Sequence, residues 1–442
     1  MKKPAGGKQA NVRRIAVLGG NNAGKTVFIT SLVDNLQHFD PEKLKLGDEW
    51  DVLDAQITNE GKMAGLDRFP QEMYRQKLFA ESPLWPRKTY STSIACLDVR
   101  LKRREPKWYR RDVIARKLEI VDIAGERTAD FGMIKRTFRE WSMMVTNQLA
   151  GAGIEWERIL REQTSTSGDD RNAILNRYRD VLKELYARGA NASMTPSTAR
   201  ITAEGKPIDG SPEEYRKTLQ EHPVGLKDKE FAPLPESAFG DRSLESLARE
   251  FEAAYDEYKS AIVEPIWDWL KRADDIIYLV DVTGVLANGT PAYNAELDLA
   301  KGCFHAICNT WRLEESIIKK GMEWLRAKME GRHFSRLITV ATKADLVHRD
   351  FRDDITELAR KLLESSVRNC GFDKMECTYC AAVCADLEAE ETARLPDKWD
   401  EDWSAGRYVF AHRKSPLKMV RKDIPPKSIH LGAIARMLLQ ID

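Results

Sequence analysis

Gly19-Gly-Asn-Asn-Ala-Gly-Lys-Thr26 follows the apolar run Ile15-Ala-Val-Leu18 and precedes Val27-Phe-Ile-Thr-Ser-Leu-Val33. The octet matches G-x-x-x-x-G-K-[ST] in full, and a strand before it with a helix after it is the context that makes this spacing a phosphate cradle. Glycines let backbone N–H groups close around phosphate oxygens, the lysine reaches the β- and γ-phosphates, and the final hydroxyl can ligate Mg²⁺. The positive end of the following helix faces the same place. Gly19, Asn22, Ala23, Gly24, Lys25, Thr26 and Val27 are therefore candidate nucleotide contacts. Lys25 would neutralise charge building between the β- and γ-phosphates, and Thr26 would hold the metal.

Composition narrows the class. The 442 residues carry 70 basic and 69 acidic side chains, a net charge of +1, so no global field points to a nucleic acid. The polar start Met1-Lys-Lys-Pro-Ala-Gly-Gly-Lys8 lacks the apolar core of a leader. No apolar stretch approaches the ~18–20 residues that span a bilayer. Seven cysteines in a chain of this length suggest reduced thiols, and the expected location is the cytoplasm.

Hydrophobic patterning gives the architecture. Residues 13–18 read as a buried strand, and residues 40–90, broken by Pro41, Pro70, Pro83 and Pro86, as a long loop with short helices. Residues 94–101 alternate as a half-exposed strand does, and 117–122 read as a buried strand able to pair with it as a hairpin. Residues 127–270 are rich in Glu, Arg, Lys and Ala. Within them Ser243–Trp267 carries Leu247, Phe251, Tyr255, Tyr258 and Ile262 at helical spacing, about seven turns. Prolines and glycines between Met194 and Gly240 predict an irregular segment. Runs at 275–281 and 336–341 are strands with helical patterns between and after them, which predicts a mostly parallel sheet flanked by helices. Leu431–Ile441 reads as a closing helix. The expected division is an α/β domain over 12–126 and 273–442, interrupted at 127–272 by a mainly helical insertion.

Two further motifs specify the nucleotide. Asp122-Ile-Ala-Gly125 ends a buried strand, where a carboxylate can hold Mg²⁺ and a glycine N–H can sense a γ-phosphate. Asp281-Val-Thr-Gly284 has the same form, but only Asp122 follows the hairpin, so Asp122 and Gly125 are preferred and Asp281 is read as structural. Thr342-Lys343-Ala344-Asp345 ends the 336–341 strand, and strands of open α/β sheets deliver ligand contacts from their carboxyl ends. There Asp345 can accept hydrogen bonds from guanine N1–H and its exocyclic amine, which adenine cannot supply, while the Lys343 stem covers the base. Thr342 stands where Asn is usual, which removes one amide.

With these motifs in order, the chain resembles the YcjX-like family of bacterial P-loop GTPases, within the translation-factor-like class. The likeness is carried by Gly19–Leu32, Leu84-Trp-Pro-Arg-Lys-Thr89, Leu118–Asp130, Ile338–Asp345 and Asp423–Leu431. It implies a Ras-like P-loop G domain with a large helical insertion, guanine-nucleotide binding and a stress-associated role; with Thr26 and Asp122 read as Mg²⁺ ligands and a carboxylate at Glu126, the expected activity is slow, Mg²⁺-dependent hydrolysis of GTP to GDP. It also places Ala382 and Val383, in Ala381-Ala382-Val383, at the last guanine-contacting loop. Switch I needs a threonine on Mg²⁺, and Thr89 is favoured slightly over Thr92. Glu126 stands where many GTPases place a water-orienting Gln; as a carboxylate it can act as a base but also repels the γ-phosphate. Arg127 reads first as a solvated surface residue and second as a cis arginine. The insertion, following switch II directly, is the expected protein-effector surface.

Other features carry less. Cys370, Cys377, Cys380 and Cys384 include one C-x-x-C, but they overlap an expected last strand at 378–384 whose alternating faces would scatter the sulfurs. Residues 102–111 hold six positive charges and one negative with Trp108 and Tyr109 between them. They read as a solvated hairpin tip or as a peripheral contact with the inner-membrane surface, and no nucleic-acid partner is expected. The seven histidines show no metal-ligand spacing, and His430 is read as packing or capping locally. An ATP-dependent P-loop kinase or ATPase and a nucleotide-binding scaffold without turnover are the competing functions.

Overall fold

β1 (Val12–Gly19) occupies the middle of a sheet because its alternate side chains are apolar on both faces: Ile15 and Val17 on one, Ala16 and Leu18 on the other, all fully buried. In this computed structural model the described residues are 12–20, 22–58, 66–80, 82–86, 92–106, 112–134, 136–164, 170–187, 230–312, 336–347, 352–368, 370, 372, 374–387, 413–416 and 427–441. After β1 come α1 (Lys25–Gln37), β2 (Trp50–Ile57), β3 (Asp67–Arg68), α2 (Gln71–Leu78), β4 (Ser93–Arg103) and β5 (Val113–Asp122). Helices α3 (Gly125–Asp130), α4 (Phe138–Gly151), α5 (Trp156–Thr164), α6 (Asp170–Ala187), α7 (Glu245–Tyr258) and α8 (Glu264–Leu270) follow. The chain then returns to the sheet with β6 (Asp275–Val280), α9 (Val282–Arg312), β7 (Arg336–Thr342), α10 (Arg352–Val367) and β8 (Lys374–Cys380). A two-stranded pair, β9 (Ala385–Leu387) and β10 (Arg413–Pro416), and the closing α11 (Leu431–Leu439) complete it.

The main sheet runs β2-β4-β5-β1-β6-β7-β8, with β3 paired to the start of β4. β4 is antiparallel to β2 and β5, while β5, β1, β6, β7 and β8 are mutually parallel. The β4–β5 hairpin and the mostly parallel sheet are those the patterning predicts. Buried Asp275 ties β6 to β1, accepting from Arg13 Nε at 2.7 Å and Nη2 at 2.6 Å.

Each face of the sheet has its own core. Ile15, Val17, Ile277, Leu279, Ile338 and Val340 pack with Phe28 and Ile29 of α1 and Ile434 and Leu438 of α11. Ala16, Leu18, Ile276, Tyr278 and Leu337 pack on the other side with Phe304 of α9 and Leu362 of α10. That second cluster continues without a break into Phe131, Phe138, Trp141, Phe231, Phe251 and Tyr255 from the segment between β5 and β6. The rings of Phe138, Trp141, Phe231 and Tyr255 lie 5.1 to 6.5 Å apart centre to centre, within the range of favourable aromatic pairs.

Four expectations need correction. Residues 50–57 are a strand, not loop: a register shift between Val52 and Asp54 breaks the alternation that would have marked it. The last sheet strand is Lys374–Cys380, four residues earlier at its start than 378. The 243–267 helix is interrupted by a π turn at Lys259–Val263, just before Pro265, which has no N–H to continue the ladder. Reduced thiols hold for Cys96, Cys303, Cys377, Cys380 and Cys384, but Cys370 is disulfide-bonded. Of the 194–240 segment, 230–240 is described, with Phe231, Ala232 and Leu234 buried, and the rest lies outside the described residues.

Candidate functional site

The loop between β1 and α1 bends where its glycines permit it. Gly19 has φ +138°, and a Cβ there would stand 2.3 Å from the Leu279 carbonyl oxygen of β6, so no other residue fits. Asn22 and Gly24 take left-handed φ values of 61° and 87°, and Ala23 is buried beneath them. The Lys25 ammonium donates to the carbonyls of Gly19 at 2.9 Å and Gly20 at 2.8 Å, closing the loop on itself. Thr26 Oγ1 donates to Asp122 Oδ2 at 2.8 Å across the parallel β1–β5 pair. This is an all-oxygen pair of the kind a hard cation accepts; among the described residues no group of three metal-ligating side chains occurs. Mg²⁺ characteristically takes one or two protein ligands and completes its shell with phosphates and water, so the pair fits it.

A cavity lies beside the loop. It is lined by Ala23, Gly24, Val27 and Phe28 from the loop and α1, Thr342 and Lys343 after β7, and Cys380, Ala382 and Val383 after β8. Asp345 is half-buried and is not itself on the lining, but its charge, with burial and Cys384, helps push the Cys380 thiol up. Lys343 has φ 60° and pairs with Asp281. Asp281 also accepts from Thr283 Oγ1 and Gly284 N–H, each at 2.9 Å, so it caps α9. The Thr342 hydroxyl donates to the Val280 carbonyl at 3.1 Å and braces the two strand ends.

The loop at 381–383 is held from two sides. Ser31 Oγ of α1 donates to the Ala382 carbonyl at 2.6 Å. On the other side Ala381 exchanges backbone hydrogen bonds with Ile429 at 3.1 and 2.8 Å, and Cys384 N–H reaches the Lys427 carbonyl. His430 stacks on Tyr379 with ring centres 4.0 Å apart.

On the switch side, Gly125 opens α3, and Asp122 is fully buried at the end of β5. Thr89 and the side chain of Glu126 lie outside the described residues, as do 107–111 of the basic tip. Thr92 is buried, immediately before Ser93, whose register partner is Asp122; among the described residues its hydroxyl has no hydrogen-bond partner. Arg127 corrects the solvated-surface expectation. It is 6% exposed and donates to Tyr258 Oη at 2.8 Å, and Tyr258 in turn donates to Asp130 at 2.7 Å. Cys377 and Cys380 lie on β8, and Cys377 Sγ faces the Thr356 carbonyl.

Three residues at or behind the site escaped the sequence reading: Ser31, Asp281 as partner of Lys343, and Glu296, whose Oε2 lies behind Gly20. Ser31 sits in an apolar helix with no signal of its own. Glu296 did carry one: an acid aligned with Leu299, Ala300 and Cys303 at i+3, i+4 and i+7, on the stripe a helix buries.

A phosphate-loop turn between β1 and α1, in a mixed α/β fold with a central sheet, is a nucleotide-binding architecture. The chain belongs to the YcjX-like family, DUF463, whose model matches residues 13–427. It is 25% identical over 392 residues to the Ras-like GTPase YcjX of Escherichia coli (strain K12), covering 84% of this chain and 78% of that one. It is 23% identical over 410 residues to the Ras-like GTPase YcjX of Shewanella oneidensis, covering 87% and 79%. Among the described residues no helix is long and apolar enough to cross a membrane.

Proposed function

We propose that this protein binds GTP and GDP with Mg²⁺ and hydrolyses GTP slowly, as a conformational switch. The observation that carries the reading is the shared cavity: Gly24 of the phosphate loop and Val27 of α1 line it together with Lys343 after β7 and Val383 after β8. That span suits a nucleotide with phosphates at residues 19–26 and base at 342–345 and 382–383. The Ras-like GTPase name of both relatives supports the same choice.

Lys25 and the loop amides would counter charge on the β–γ bridge. Thr26 and Asp122 would hold Mg²⁺, which, when bound, supplies electrostatic stabilisation of the transferring phosphoryl group. The switch I ligand is Thr89 or Thr92, and the buried hydroxyl of Thr92 beside the Asp122 strand end favours Thr92 on geometry. A carboxylate at Glu126 in place of an amide supports slow turnover. The domain reading, with residues 127–272 as an insertion that answers to nucleotide state and presents an effector surface, rests on its position directly after Gly125. A stress-associated role and a peripheral membrane contact through 102–111 remain parts of the proposal that follow from the resemblance and the charge of that tip.

Competition of GTP and ATP against a fluorescent GDP analogue tests the base assignment, and preference for ATP overturns it. Single-turnover GTP hydrolysis tests the chemistry: unchanged rates in Glu126→Ala remove Glu126 from it, and no turnover above buffer leaves a scaffold.

A further inference from the structure

Glu296 is 7% exposed and sits on α9 beyond Gly289, where the helix departs from helical geometry (φ 68°). One carboxylate oxygen, Oε1, is hydrogen-bonded to Tyr278 Oη at 3.1 Å. The other, Oε2, presses on the phosphate loop: a Cβ on Gly20 would stand 2.5 Å from it. On its other side Gly20 is held by Lys25, which donates to the Gly20 carbonyl at 2.8 Å. Gly20 is thus held between an acid packed behind the loop and the cation that serves the loop's mouth. No function discussed above uses this acid.

A buried carboxylate is costly unless its charge is matched. The groups facing Glu296 are the Tyr278 hydroxyl from β6, Lys25 from α1, Asp281 after β6 and the Gly20 N–H. Only Lys25 is cationic, and Lys25 is the side chain that a bound polyphosphate recruits. A polyphosphate therefore takes away the partner that stabilises the charged acid and adds negative charge nearby. Both changes favour the protonated acid.

We propose that Glu296 is a positioning residue of the phosphate loop, and that it takes up a proton when an anionic polyphosphate, a nucleoside di- or triphosphate, fills the loop. The inference rests on the reading of residues 19–26 as a phosphate cradle and is independent of which base is bound. Burial already lifts the Glu296 carboxyl to about 7 without nucleotide, so the change falls near neutral pH. The sign follows: above that pH the empty loop carries a charged Glu296, binding must restore its proton, and affinity falls as pH rises.

The test is titration calorimetry with GDP and with ADP, in buffers of different ionisation enthalpy, on the full chain and on Glu296→Gln. Glutamine keeps the side chain's shape against Gly20, and its amide can donate to the reversed Tyr278 hydroxyl, so the loop geometry survives. The difference between the two proteins cancels proton exchange by the nucleotide's own phosphates. The expected result is uptake of about half a proton more by wild type at pH 7. Wild-type affinity should also fall up to about tenfold more than that of Glu296→Gln between pH 6 and pH 8. Tyr278→Phe removes a bond that favours the charged form and should move the wild-type inflection to higher pH. Equal proton counts in wild type and Glu296→Gln overturn the inference. If the glutamine variant does not fold, an unmoved inflection in Tyr278→Phe overturns it. Preference for ADP with the extra proton intact overturns the guanine assignment alone, and binding of neither nucleotide overturns both.

Discussion

Thr26, in the first turn of α1, and Asp122, at the end of β5, stand 96 residues apart in the chain and meet through a 2.8 Å hydrogen bond. The parallel register sets Val17 of β1 opposite Asp122, and the loop after Gly19 carries the start of α1 back over that strand end. If this pair holds Mg²⁺, Asp122→Asn should weaken GDP binding in Mg²⁺ by about 1–3 kcal/mol, ~5- to 150-fold. In EDTA the two proteins should bind alike. Fluorescent-GDP titration with and without Mg²⁺ reads this directly, and an equal loss in both conditions would mean that Asp122 is structural.

The second D-x-x-G supports the base end instead. Asp281 caps α9 and pairs with Lys343, whose left-handed backbone at φ 60° needs that tether. Asp281→Ala should cost about 1–2 kcal/mol of stability through the lost cap and pair. GDP affinity should drop as Lys343 loses its fixed position. Urea unfolding and GDP titration measure the two effects, and unchanged affinity would free Lys343 from any dependence on Asp281.

Much of this architecture was legible, and the physical reason is local. β1, β4, β5, β6 and β7 announce themselves because runs such as Asp275-Ile-Ile-Tyr-Leu-Val280 are apolar over a strand's length and end at chemistry-bearing turns. β2 was missed because its register shift mixes the faces. Arg127 was misjudged for a different reason: nothing near it in sequence says that Tyr258 and Asp130 will enclose it. Ser31 and Glu296 act across 351 residues and from behind the loop respectively. Such contacts are set by tertiary packing: helix spacing marks Glu296 as buried but does not say what it meets.

Ser31 tests how the last loop is placed. Its hydroxyl holds the Ala382 carbonyl at 2.6 Å, and the backbone pairing of Ala381 with Ile429 holds the loop from behind. Ser31→Ala should cost about 1 kcal/mol of stability. It should also raise the GDP dissociation rate severalfold, because Ala382 and Val383 line the cavity. Stopped-flow displacement of a fluorescent GDP analogue measures the rate, and an unaltered rate would take this loop out of nucleotide binding.

Arg127, Tyr258 and Asp130 form the buried joint between α3, which begins at Gly125, and the end of α7, where the π turn starts. If nucleotide exchange displaces Gly125, α3 moves with it, and this joint is a polar connection through which α7 would feel the change. Tyr258→Phe removes the hydroxyl that donates to Asp130 and accepts from Arg127, leaving a buried ion pair 3.8 Å apart with its bridge gone. The expected cost is about 1–3 kcal/mol in urea unfolding. The informative readout is hydrogen exchange of residues 245–270 in GDP against a non-hydrolysable GTP analogue. Wild type should differ between the two states, and Tyr258→Phe should lose that difference while still binding both nucleotides. A difference that persists in the variant would mean that the helical segment is coupled to the nucleotide by some other route, or by packing of Phe131 and Trp267 alone.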